Sequence, residues 1–390
     1  MIYLLVVIIF LLPIFARASK TYKIPQNYYK FQCLILILVA GLRYYVGGDT
    51  IGYMRDWDER VDDWFHLDSL NLLYMAMFYR PLCIALWVTC KTICQEFFFL
   101  QIVQATIVNI SVFYIVPKYT RYKYEVAFFY LILQFLYFNC EIMRESLAVV
   151  AFYFAFRYYV EKKWIKYYLS LLVVFMIHDS VLIYFIFPFL RKFLDGKWNA
   201  KTFILIILSG IVVAVGIKYV LFLLPGERGA KFMEGYGKMQ NATIFGTLKS
   251  FISIPIYFLV LKYCQKRNSP YAVEGFKIFI ILATWGLFLP IIGTRMTNYV
   301  KLFSYMIYVD FIWTYRKLLL QRLLILLLLF NTYRYYFMDV SSWVRASSNE
   351  TYYFYEIFLP YYSIFEKPDQ DVLTKRIEIY DQEEARNNKK

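Results

Sequence analysis

Apolar stretches recur along the chain, among them 2–15, 203–224, 276–292 and 318–330, and short polar segments separate them. A helix needs about 20 residues to cross a hydrocarbon core. Inside lipid the backbone polar groups must be satisfied within the segment, so such stretches form helices. The pattern predicts an all-α fold, a polytopic membrane helical bundle of about 10–12 transmembrane segments. Residues 1–367 read as a single integral membrane domain, and 368–390 as a polar, poorly ordered tail. Residues 2–15 read as a first span with the N-terminus outside. Ala16-Arg17-Ala18 resembles a signal cleavage site, yet no cationic region precedes the apolar run, and Arg17, Lys20 and Lys23 follow it.

Charge orients the bundle. Segments 17–30, 118–123, 157–166, 191–201, 262–271 and 316–322 each carry at least three Lys or Arg, which places them on the cytoplasmic side. The clearest outer segment is 43–70, with Asp49, Asp56, Asp58, Glu59, Asp62, Asp63 and Asp68. The same alternation places 140–145, 225–245, 292–298 and everything after 337 outside. Two stretches strain this parity. Residues 65–94 are partly apolar but cannot cross, so 43–96 reads as an extracytoplasmic loop with interfacial helices, interrupted at Arg80-Pro81. Residues 165–190 form one apolar run between two basic segments. Two short half-spans turning at His178-Asp179-Ser180 keep both basic segments on one side, and such a turn needs protein or a watery cavity around its backbone.

Composition agrees: 61% of the residues are hydrophobic and 18% charged, against roughly 25% charged in soluble domains. The net charge of +15 lies in short loops rather than on one basic face, which argues against nucleic acid. Six Cys without a CxxC pair, and only two His, argue against zinc.

Polar residues at membrane depth cost about 2.5–3.5 kcal/mol each, so those present mark candidate chemistry. Four groups stand out, and parity puts all four outside. They are Arg43 with Asp49 and Tyr53; Glu141, Arg144 and Glu145; His178, Asp179 and Ser180; and Arg295 with Tyr299. Each also has a plain structural reading: a helix-end cation, an internally neutralised cap, a hydrogen-bonding membrane histidine, a snorkelling arginine. Together, three arginines on one side suggest an anionic ligand approaching from the bilayer, because guanidinium stays charged and grips phosphate bidentately. A polyprenyl pyrophosphate has that chemistry.

The order Leu42-Arg43-x-x-Val46-Gly47-x-Asp49-Thr50-x-x-Tyr53, Met143-Arg144-x-x-Leu147-Ala148, His178-x-Ser180, Arg295-x-x-x-Tyr299 and Pro360-Tyr361 resembles the EpsG family across nearly the whole chain. That family is similar to Wzy-type polymerases. Glu145 stands where the family would have Gln, and Gly48 doubles the glycine. The resemblance implies exopolysaccharide or capsule synthesis at the outer face of the bacterial inner membrane, multi-pass, on a plan compatible with GT-C glycosyltransferases. It also implies an undecaprenyl-pyrophosphate-linked oligosaccharide as partner, beside the lipid bilayer and other polysaccharide-assembly proteins.

On that basis the expected activity is a membrane glycosyltransferase that polymerises repeat units. Asp49 is the first candidate base, with His178 and Glu145 after it. Arg43, Arg144 and Arg295 are expected at pyrophosphate, with Tyr53, Asp179 and Tyr299 in support. No cofactor or metal is required on this account. The competing readings are a flippase for lipid-linked oligosaccharide, which would carry cations through the depth of a cavity, and a membrane acyltransferase, which would place its histidine near the cytoplasmic face.

Overall fold

Helix follows helix along the chain in the computed structural model, which describes residues 2–19, 24–196, 198–223, 244–289, 292–314, 343–345 and 351–389. Among the described residues one helix, Phe97–Tyr119, is long and apolar enough to cross a membrane. Other apolar segments form shorter helices, including Tyr28–Gly41, Pro81–Ile93 and Trp164–Phe175. The expected span at 318–330, the basic segment 316–322 and most of the segment 225–245 expected outside lie beyond the described residues.

The chain divides into two compact units. The first comprises residues 1–154, 172–179 and 330–389. Its opening helices are α1 (Ile2–Ser19), α2 (Tyr28–Gly41) and α3 (Gly48–Arg60), followed by α4 (Ser69–Phe78), α5 (Pro81–Ile93) and α6 (Phe97–Tyr119). The expected interruption of the outer loop is real: α4 ends at Phe78, and Pro81 opens α5 at a position where its missing N–H costs nothing. The segment shares a buried core with the start of α6 and with a later helix: Trp57, Val61, Met75, Tyr79, Cys83 and Trp87 pack with Leu100 and Met143.

Next come α7 (Lys123–Tyr130), two π-helical turns (Leu131–Phe135, Tyr137–Glu141) and α8 (Met143–Val160). Their interior polar groups pair with one another. Asn109 Nδ2 donates to Asn139 Oδ1 at 3.1 Å, the Tyr130 hydroxyl donates to Asn109 Oδ1 at 3.0 Å, and Gln104 Nε2 donates to Ser146 Oγ at 2.9 Å. Buried polar side chains that satisfy each other in this way fix how the helices register.

The second unit holds residues 155–171 and 180–329. Helix α9 (Trp164–Phe175) stops just before the His178-Asp179-Ser180 motif, and a 3-10 helix (Asp179–Ile186) follows, leading to α10 (Arg191–Asp195). The chain reverses between them. The Tyr167 hydroxyl reaches the Tyr184 carbonyl at 3.1 Å, and Lys162 pairs with Asp195 at 3.0 Å. Residues 165–190 therefore form a hairpin that reverses after α9. Beyond it, α13 (Pro270–Trp285) packs on α14 (Asn298–Thr314), with Gly275 against the Phe303 ring; between α10 and α13 lie α11 (Ala200–Leu223) and α12 (Ile244–Cys264).

Two features depart from expectation. A short antiparallel hairpin, β1 (Trp343–Arg345) with β2 (Thr351–Tyr353), interrupts the all-α plan. The polar tail, read as poorly ordered, forms helix α15 (Gln370–Lys389), docked against α3. Ile379 and Arg376 are buried there, and Arg376 donates to the Tyr45 carbonyl at 2.9 Å. Its apolar stripe of Leu373, Ile377 and Tyr380 has helical spacing, and α3 supplies the face that covers it.

Candidate functional site

The candidate site in the first unit is built where α2 gives way to α3. Gly47 adopts φ +102°, and a Cβ there would stand 2.6 Å from Cys140 Cβ, so the turn requires glycine. The turn lets Gly48 and Asp49 point their backbone N–H groups at Glu141. Glu141 accepts from Gly48 at 2.8 Å and from Asp49 at 3.0 Å. A carboxylate here satisfies orphan donors of the α3 N-terminus and complements its dipole. Burial pushes the Glu141 carboxyl up; the Asp49 carboxylate adds to the rise, and the two N–H donors and Arg43 pull it back.

Arg43 is 1% exposed, and its donors are spent locally. They go to the carbonyls of Ala40 and Val46, the Thr50 hydroxyl (3.2 Å) and the Met143 sulfur (3.3 Å). It ties the end of α2 to the start of α8. The segment of the Pro360-Tyr361 motif completes the same turn: Tyr361 donates to the Val39 carbonyl at 3.0 Å, and Tyr44 N–H donates to the Tyr362 carbonyl at 3.0 Å.

Arg144 is placed differently. It opens α8, half-buried, with its guanidinium 4.5 Å from the Tyr79 ring centroid and 5.4 Å from that of Tyr53. Nη1 donates to the Phe78 carbonyl at 3.0 Å, and Nε reaches the Tyr53 hydroxyl at 3.5 Å. Among the described residues no carboxylate pairs with it. Tyr53 follows Asp49 by one helical turn and feels both the Arg144 cation and the Asp49 carboxylate; burial, the largest effect, pushes its hydroxyl up to about 12. The arrangement is a cation held between two aromatic faces, beside an exposed acid.

Other expected residues fall elsewhere. Glu145 is 2% exposed in the first turn of α8. His178 lies at the turn after α9, and Asp179 is exposed and pairs with Arg80. Arg295 is exposed on a π-helical turn (Ile292–Met296) of the second unit. There Tyr299, fully buried, meets Ser180 oxygen to oxygen at 2.8 Å, which joins two motifs 119 residues apart. Tyr79 and Asp56 were missed as site residues, and Glu141, though grouped with Arg144, was given no role of its own. Tyr79 donates to Asp56, which also pairs with Arg60. The signals were present: Tyr79 adjoins the Arg80-Pro81 break, and Glu141 precedes Arg144 by three positions. Among the described residues no three His, Cys, Asp or Glu side chains gather closely enough to hold a metal ion.

No curated protein and no solved structure matches the chain. The EpsG family model, by contrast, matches residues 26–363, most of the length, and spans the Arg43, Asp49, Arg144, His178 and Arg295 motifs. The protein therefore belongs to the EpsG family of membrane proteins associated with exopolysaccharide biosynthesis.

Proposed function

We propose that the protein is a membrane glycosyltransferase that joins polyprenyl-pyrophosphate-linked oligosaccharide repeat units at the outer face of the bacterial cytoplasmic membrane. The observation that carries this reading is Arg144: a half-buried guanidinium, framed by the Tyr53 and Tyr79 rings, that pairs with no carboxylate among the described residues. A permanently charged group in that setting suits a phosphate oxygen, and such a charge-assisted bond contributes about 1.5–3 kcal/mol. One helical turn below it on α8, an apolar hollow of about 270 Å³ is lined by Cys83, Leu86, Leu147, Val150 and Phe154. A ligand greasy at one end and phosphorylated at the other fits that sequence of environments.

In the proposed reaction an acceptor hydroxyl loses its proton to Asp49 and its oxygen attacks the anomeric carbon of the donor glycan. The anomeric C–O bond to phosphate breaks, and the electron pair leaves with the pyrophosphate, whose charge Arg144 stabilises. Arg43 has a supporting role, since its donors build the turn that presents Asp49. Arg295 is the second pyrophosphate candidate, and His178 and Glu145 are the alternative bases. Tyr53 would hold Arg144, Tyr299 would hold the Ser180 turn, and Asp179 would steady Arg80.

The test is polymerisation in vitro with purified lipid-linked repeat unit. Wild-type protein is expected to give a ladder of products, and Arg144→Ala to remain inserted and folded without giving long chains. An Arg144→Ala protein that makes polymer of normal length and amount overturns the assignment. Translocation without a ladder would make the protein a transporter, and an acylated product an acyltransferase.

A further inference from the structure

A second pocket of about 220 Å³ lies on the other flank of the outer loop, between Tyr44 at the exit of α2, the first turn of α6 and the strand-like segment after Tyr362. Its walls are aromatic and its rim is charged. Tyr44, Phe98 and Phe365 line it together with Glu96, Gln101 and Lys367. Phe365 is 81% exposed, so its ring is open to a ligand that enters the pocket. Lys367 lies over the Tyr44 ring at 5.0 Å.

Gln101 gives the pocket its chemistry. It is 2% exposed, and its Nε2 makes no hydrogen bond to any described group. A buried amide donor left without an acceptor costs about 1–3 kcal/mol. The other interior amide nitrogens of α6 find acceptors: Gln104 Nε2 donates to Ser146 Oγ, and Asn109 Nδ2 to the Ala105 carbonyl. Gln101 differs in lining a cavity rather than facing a neighbouring helix.

We propose that this pocket is a glycan subsite that takes a single pyranose ring of the repeat unit, an inference that rests on the glycan-handling reading above. A pyranose has one apolar C–H face and a rim of hydroxyls. The C–H face stacks on Tyr44, Phe98 and Phe365. A ring hydroxyl or an N-acetyl carbonyl accepts from Gln101 Nε2, and Glu96 accepts from another hydroxyl. A site built to pair a buried polar group discriminates strongly against sugars lacking the partner. The subsite would thus contribute to repeat-unit selection while leaving the chemistry at Arg144 and Asp49.

The experiment is saturation-transfer NMR on the full-length protein in lipid nanodiscs, with free glucose, galactose, glucosamine, N-acetylglucosamine and N-acetylgalactosamine as probes. At least one sugar is expected to receive saturation on its ring protons. Gln101→Leu should weaken that binding at least tenfold. Phe365→Ala, at an exposed position that the fold does not need, should weaken it similarly at an unchanged melting temperature. Arg144→Ala should leave it intact, which separates this inference from the reading it rests on. No transfer to any of the five sugars, as when Nε2 merely holds a water molecule, overturns the proposal; so does transfer that neither pocket variant reduces.

Discussion

At the scale of single residues, the two arginines of the outer turn show how burial and partnering separate scaffold from site. Arg43 spends its donors on the carbonyls of Ala40 and Val46 and on Thr50 and Met143, whereas Arg144 holds its guanidinium between two rings. Replacing Arg144 by Lys should lower polymerisation about tenfold to a hundredfold, because an ammonium neither lies flat on Tyr79 nor binds phosphate bidentately. Rates measured with purified protein check this, and full activity in Arg144→Lys would show that a point charge suffices. Gly47→Ala should destabilise the protein by about 1–3 kcal/mol, since alanine at φ +102° meets Cys140. Thermal unfolding in detergent measures it, and an unchanged midpoint would contradict the geometry.

Glu141 adds a pH dependence whose sign follows from its raised carboxyl. The folded protein holds this proton more tightly than the unfolded chain does. The stability from Glu141 is therefore full below its ordinary value of 4.5 and is lost as pH rises through the folded value near 8. Melting midpoints recorded between these limits should fall with rising pH. Glu141→Gln should flatten that slope, and an equally steep slope in the variant would assign it to another group.

At the scale of elements, the hairpin after α9 and the terminal helix carry the informative contacts. The Lys162–Asp195 ion pair closes the hairpin at its base. Cysteines introduced singly at these positions should label from the same side of the membrane; labelling from opposite sides would mean a single crossing. Helix α15 is held to α3 by Arg376 on the Tyr45 carbonyl and by an Arg55–Asp381 pair at 2.8 Å. Stopping the chain after Asp369 should cost about 2 kcal/mol or more, from the lost hydrogen bonds and the exposed apolar stripe of α15. Limited proteolysis should then cut within α3, and an unchanged digestion pattern would show that α15 adds nothing there.

At the scale of the whole molecule, the chain's own pattern of apolar and charged residues determined the helical class, the family, the helix break at Arg80-Pro81, and the chain reversal at His178-Asp179-Ser180. These are legible because they depend on local order alone: run length against bilayer thickness, proline against helix, basic loop against basic loop. The partners of each charge were decided only in three dimensions. Arg43 and Arg144 look alike in sequence, and one is consumed by its own turn while the other is framed by Tyr53 and Tyr79 from the outer loop. Likewise Glu141 rather than Glu145 reaches the start of α3, and a tail polar enough to read as disordered is ordered because α3 and Tyr45 receive it. Hydropathy reports where a segment prefers to lie, but a hydrogen bond or an uncommitted cation depends on which distant groups share its volume, and that is set by packing.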